Sequence, residues 1–73
     1  MDMRRLVGRN LRRVRLGKGL TQEQLAERSG FTQYYISSLE LGHRNPTLVS
    51  VYELAQALEV SHIELVIPDS EAD

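Results

Sequence analysis

Apolar residues recur along this chain at helical spacing, in short stretches with clear punctuation between them. Val7, Leu11 and Val14 fall at i, i+4 and i+7, Met3 extends the stripe backwards, and Gly17 and Gly19 around Lys18 close it. That pattern predicts a first helix from Asp2 or Met3 to Leu16. Thr21 then acts as a helix cap, with Gln24 three residues on in the T-x-x-Q form of a capping box and Leu20 and Leu25 at the two staple positions. This second helix carries few apolar residues, Leu25 and Ala26, and Gly30 ends it after about two turns. Thr32 caps a third helix, with Phe31 and Ile36 in the staple positions, so the turn between the two helices is three or four residues long.

The loop LGHRNPT follows, marked by Gly42, Asn45 and Pro46. A fourth helix opens at Thr47, or at Asn45 with Pro46 in the first helical position. Leu48, Val51, Leu54, Ala55 and Leu58 form its predicted inward face, and Tyr52 borders that stripe as a packing residue. Ser61 opens a last short helix with the box S-x-x-E to Glu64, Val60 and Leu65 take the staple positions, and Pro68 ends it. The expectation is an all-α, compact five-helix bundle over residues 1–67, with 68–73 as an acidic, disordered tail.

Two short helices joined by a Gly-containing turn make a helix-turn-helix unit, whose second helix can enter the DNA major groove. Any small helical hairpin would show the same caps, so the outer face of the third helix decides between readings. Ile36, Leu39 and Glu40 cluster on one side and Tyr34, Ser37, Ser38 and Leu41 on the other, with Gln33 at the exposed amino end. A solvated face usually carries Lys and Glu, whereas this one has neither before the inward-pointing Glu40. The pattern reads as a binding face. His43, Arg44 and Asn45 come directly after it as donors that would lie beside the DNA backbone, which assigns them to phosphate contact, although any polar surface turn looks similar.

Two charges stand in unexpected places. Arg15 lies one turn after Leu11 on the inward stripe of the first helix, and Glu40 lies on the inward stripe of the third. A buried charge is tolerated when it is paired and hydrogen-bonded, so the two are predicted to form a buried ion pair tying those helices together.

Charge distribution changes the picture more than net charge does. The chain has 73 residues and a formal charge of −1, which alone argues against a nucleic-acid binder. Residues 1–18, however, hold Arg4, Arg5, Arg9, Arg12, Arg13, Arg15 and Lys18 against Asp2, a balance of +6. Residues 53–73 hold Glu53, Glu59, Glu64, Asp69, Glu71 and Asp73 with no Lys or Arg, a balance of −6. One end can approach phosphate while the other is kept away from it.

No Cys, no transmembrane run and no apolar segment after the basic amino terminus are found, so a cytoplasmic location is the default expectation. An enzyme has little support. His43 and His62 lack a metal-ligand pattern, and no phosphate loop or nucleophile motif occurs; no cofactor or metal is expected.

Val7-Gly8, Leu11, Arg15, Gly19-Leu20-Thr21-Gln22, Leu25-Ala26, Ser29-Gly30, Ile36-Ser37, Leu39-Glu40, Gly42, Arg44-Asn45-Pro46-Thr47 and Ala55-Gln56-Ala57-Leu58 together resemble the lambda-repressor-like, Cro/XRE-type helix-turn-helix family over residues 5–66. The resemblance implies a five-helix bundle that binds operator DNA as a dimer and regulates transcription. By position it implies a phosphate contact for Gln22, which would also brace the recognition helix, and base reading by Gln33, Tyr34 and Ser38 with Ser37 between them. Tyr35 joins the phosphate set, and Arg15 and Glu40 match a buried salt bridge. The Tyr34-Tyr35 pair and Leu41 depart from the residues common in phage repressors, so the operator is not transferable.

Side-chain chemistry suggests readout rules. Gln33 can pair with adenine, Tyr34 can meet a thymine methyl or a phosphate, and with no Arg on the outer face specificity is expected to lean on A·T pairs, water and DNA shape. A homodimer is expected because one short helix reads few base pairs, and Ile63, Leu65, Val66 and Ile67 are the candidate interface. At 73 residues, the chain is expected to act without an effector module, as phage regulators and controller proteins of restriction-modification systems do. Competing readings are an antitoxin that binds both operator and toxin, and a protein-interaction module that has lost DNA contact.

Overall fold

The computed structural model describes residues 2–68 of the chain; of the acidic tail assigned to 68–73, all but Pro68 lies outside the described residues. Four α-helices follow in order: α1 (Met3–Gly17), α2 (Gln22–Ser29), α3 (Gln33–Glu40) and α4 (Leu48–Leu58). A 3-10 helix (His62–Leu65) closes the chain, and there is no strand among the described residues.

Each start is a side-chain cap. Asp2 Oδ1 accepts the Arg4 N–H at 3.0 Å, Thr32 Oγ1 the Tyr35 N–H at 3.0 Å and Thr47 Oγ1 the Ser50 N–H at 2.9 Å. At Thr21 both halves of the capping box form, with Gln24 N–H donating to Thr21 Oγ1 at 3.0 Å and Thr21 N–H donating to Gln24 Oε1 at 2.8 Å. Gly30, at φ 82°, turns the chain after α2, and only Gly30, Phe31 and Thr32 separate α2 from α3. After α4 the same left-handed turn is made without glycine, by Glu59 at φ 60°.

The core is filled by Val7, Leu11 and Val14 of α1, Leu25 of α2, Ile36 and Leu39 of α3, Val51, Leu54 and Leu58 of α4, and Leu65. Fully burying one such side chain contributes about 1.5–3 kcal/mol. Two positions of the predicted inward stripes point elsewhere. Met3 and Leu48 begin their helices beyond the edge of the core, and both are exposed.

The predicted fifth helix is a single 3-10 turn, and the reason lies in α1. Ser61 accepts the Ile63 N–H at 3.2 Å, and the following bonds, Glu64 N–H to Ser61 O and Val66 N–H to Ile63 O, each 3.0 Å, span three residues. The buried Asn10 amide then donates to Leu65 O at 3.2 Å and to Ile67 O at 2.8 Å. Carbonyls that a longer α-helix would use are thereby taken, and Pro68 follows at once.

Close approach of backbones sets the position of α3. A Cβ on Gly8 of α1 would overlap the Leu39 carbonyl oxygen and lie 3.0 Å from that of Glu40. Gly42, at φ 78°, ends α3 where a Cβ would lie 2.9 Å from Arg5 Cγ, and the His43 N–H there donates to Ser38 O at 2.9 Å. Glycine at both places lets α1 lie directly on the carboxyl end of α3.

Candidate nucleic-acid interface

The inner side of α3 is held by a compact charged network. Arg15 Nε lies 2.6 Å from Glu40 Oε2 and Nη2 lies 3.0 Å from Oε1, a two-pronged pair whose side chains are 8% and 3% exposed. The third prong, Nη1, donates to the Leu20 carbonyl at 2.8 Å, and the Gln22 amide donates to Glu40 Oε1 at 3.0 Å. One carboxylate therefore joins α1, the amino end of α2 and the carboxyl end of α3. The hydrogen bonds that Arg15 donates to Glu40 raise the Arg15 pKa above its already high ordinary value; desolvation works the other way, and the charge attraction adds to the rise. Among the described residues, no buried side-chain nitrogen or oxygen is left without a hydrogen bond.

With the inner side held, the outer side of α3 is open. Gln33 is exposed at the amino end, Tyr34 is 72% exposed, Ser37 is half-buried, and Leu41 stands out just beyond the helix. Ser38 stands one turn after Tyr34 on the same side of the helix, but its short side chain is 8% exposed, so it shows little surface there.

Gln22 donates one amide hydrogen to Glu40 and carries a second beside it. Tyr35 is half-buried, its ring 4.8 Å from that of Phe31. His43, Arg44 and Asn45 are exposed on the loop between α3 and α4, and the Arg44 guanidinium lies over the rings of Tyr34 and Tyr35 at 5.8 and 5.4 Å. Gln22, Gln33, Tyr34 and the loop thus surround the open face of α3, with Arg44 folded back onto the helix.

The predicted dimer residues separate. Leu65 is 0% exposed and belongs to the core, so it cannot meet a partner, and Val66 and Ile67 are half-buried against α1 and the core. Only Ile63 is exposed. The larger apolar surface lies on α4, where Leu48, Val49 and Tyr52 are all exposed and Tyr52 stands 6.4 Å from His62, ring to ring.

Sequence reasoning missed Asn10. Its signal was available: Asn10 stands three residues after Val7 and four before Val14, a core position on the inward side of α1, and a polar residue there needs partners.

This arrangement has close counterparts. The model of the helix-turn-helix family HTH_3 matches residues 11–65, and the chain belongs to that family, a Cro/XRE-type group of transcriptional regulators and not of enzymes. The chain is 65% identical over 71 residues to an HTH-type transcriptional regulator of Sinorhizobium fredii, covering 97% of this chain and 92% of that protein. Among solved structures, a hypothetical transcription factor from Neisseria superimposes with a TM-score of 0.91 at 34% identity, covering 97% of this chain and 82% of that one. The restriction-modification controller protein C.AhdI of Aeromonas hydrophila gives 0.82 at 42% identity, over 85% and 90%.

Proposed function

We propose that this chain binds double-stranded operator DNA sequence-specifically as a homodimer, with residues 33–41 in the major groove, and regulates transcription in the cytoplasm as a repressor or autoregulator. The observation that carries the reading is the two-sided character of α3: locked to α1 and α2 by Glu40 and Gly8, and open along Gln33 and Tyr34. A recognition helix must be rigid behind and adaptable in front. Gln22, Tyr35, His43 and Asn45 would hold phosphates, while Gln33, Tyr34, Ser37 and the more recessed Ser38 face base edges.

The second copy is assigned to the α4 end. Leu48, Val49, Tyr52 and His62 line an open groove of about 270 Å³, with Ile63 next in the chain, a cluster of apolar side chains that favours burial against a partner. Two domains measuring 30 × 22 × 19 Å, paired side by side, can set their recognition helices about one DNA turn, ~34 Å, apart. Likeness to C.AhdI supports a controller-type role in the same terms. A toxin or other partner protein is the competing occupant of this groove.

Binding to a randomised duplex pool at two salt concentrations, with sequencing of the retained DNA, tests the reading. A two-fold symmetric motif with half-sites one helical turn apart, held more weakly as salt rises, is expected. No enrichment at low salt would overturn it and leave the protein-interaction reading.

A further inference from the structure

The α3 helix contributes no arginine to its outer face, but the fold brings one there from outside the helix. Arg44, on the loop before α4, is folded back so that its guanidinium lies 5.8 Å from the Tyr34 ring centroid and 5.4 Å from that of Tyr35. Tyr35 is itself steadied by Phe31, 4.8 Å away ring to ring, and is half-buried. Tyr34 is on the open face, one residue from Gln33. Phe31, Tyr35, Arg44 and Tyr34 therefore form a connected group that begins in the packed turn and ends on the reading face.

Contact with aromatic rings engages the cation and leaves its planar fork of N–H donors for acceptors, and among the described residues no carboxylate pairs with Arg44. Guanine presents two acceptors, O6 and N7, in the major groove, and the guanidinium fork matches them in a two-bond pairing. A phosphate contact would not need the side chain to be held against Tyr34; a loop arginine free to swing would serve.

From this placement we infer that Arg44 is a specificity-determining residue that reads a guanine in each half-site, with Tyr34 and Tyr35 as positioning residues for its guanidinium. The inference rests on the DNA-binding reading above. It replaces the expectation that readout leans on A·T pairs, water and DNA shape: Gln33 reads its own base, and one G·C pair beside it is read from the loop.

The test is selection from the randomised duplex pool with the wild-type chain, Arg44→Ala, Arg44→Lys, Tyr34→Phe and Tyr34→Leu, each followed by titration of the wild-type consensus duplex. The wild-type chain should return a half-site with one strongly preferred guanine. Arg44→Ala and Arg44→Lys should both lose that preference, keep the preferences elsewhere, and bind the consensus about 5- to 150-fold more weakly. Tyr34→Phe, which retains the ring, should keep the guanine, whereas Tyr34→Leu should weaken the preference at that same position. A uniform loss over all sequences in Arg44→Ala, with a salt slope lower by about one and full rescue in Arg44→Lys, would overturn the inference in favour of a phosphate contact. A wild-type consensus without a preferred guanine would overturn it while leaving operator binding intact. No retained DNA from the wild-type chain would overturn both.

Discussion

The two ends of this domain use buried and exposed chemistry in opposite ways. Around α3 the interior is charged and fully partnered: Arg15, Glu40, Gln22 and the Leu20 carbonyl close on one another, and Gly8 lets two backbones touch. Around the start of α4 and the 3-10 helix, the interior is apolar apart from the Asn10 amide, and the surplus spills outward as Leu48, Val49, Tyr52 and Ile63. A hydrogen-bonded ion pair has one geometry, whereas apolar contact tolerates many. The difference gives one end a single fixed geometry and leaves the other an adaptable apolar surface.

Breaking the charged lock should have the largest effect. Glu40→Ala leaves the Arg15 guanidinium buried without its carboxylate, and a loss of about 3–5 kcal/mol is expected in urea unfolding. That is a large part of the stability of a domain this size. Replacing both members with Met and Leu should recover much of it, and charge reversal of both should leave a folded protein. Little change in the urea midpoint of Glu40→Ala would show that the network does not hold α3.

Gly8→Ala tests the backbone contact beside that lock. The added methyl meets the Leu39 carbonyl, so α1 and α3 must separate, at a cost of about 1–3 kcal/mol by thermal or urea unfolding. The same substitution at the exposed Gly17, where a Cβ meets nothing within 4 Å and the residue is helical, should instead be neutral or stabilising.

At the other end, Val49→Asp should leave the urea midpoint of the monomer within about 0.5 kcal/mol, since the side chain is exposed, while shifting sedimentation equilibrium toward monomer. A wild-type chain that stays monomeric at high micromolar concentration would remove this surface from the account. Glu59→Gly should give a small gain of about 0.5–1 kcal/mol, because Glu59 holds a left-handed conformation that glycine adopts without strain.

The smallest effect is a pH dependence at the first helix cap. Partial desolvation works against ionisation of Asp2, but the backbone N–H groups of Arg5 and Arg4 and the two guanidinium charges bring its pKa below the ordinary 3.8. Folded-state depression means that the contribution is present above the ordinary carboxylate pKa and is lost as pH falls through the folded value. Asp2→Asn should flatten the acid side of the stability curve below about pH 4 relative to wild type.

Local signals carried most of the fold. Every helix start is a Thr, Ser or Asp whose side chain meets a nearby backbone N–H, and such caps are decided within four residues of sequence. The all-α class and the helix-turn-helix were legible for that reason. What failed was non-local. The 3-10 turn depends on Asn10, more than fifty residues upstream, taking the Leu65 and Ile67 carbonyls. Burial of Leu65 and exposure of Leu48 depend on where neighbouring helices end, which periodicity within one helix does not report. Likewise, Arg44 was legible as a loop donor, but its return onto Tyr34 and Tyr35 is a property of the folded chain.

The central claim is that two copies of α3 read DNA from one face. Guanine methylation interference, extended to adenine and thymine by modified bases, on a duplex selected by the wild-type chain addresses it most directly. Two clusters of major-groove interference, about 10 base pairs apart and related by a two-fold axis, are predicted. A single cluster, or interference confined to phosphates with no base positions, would contradict the account.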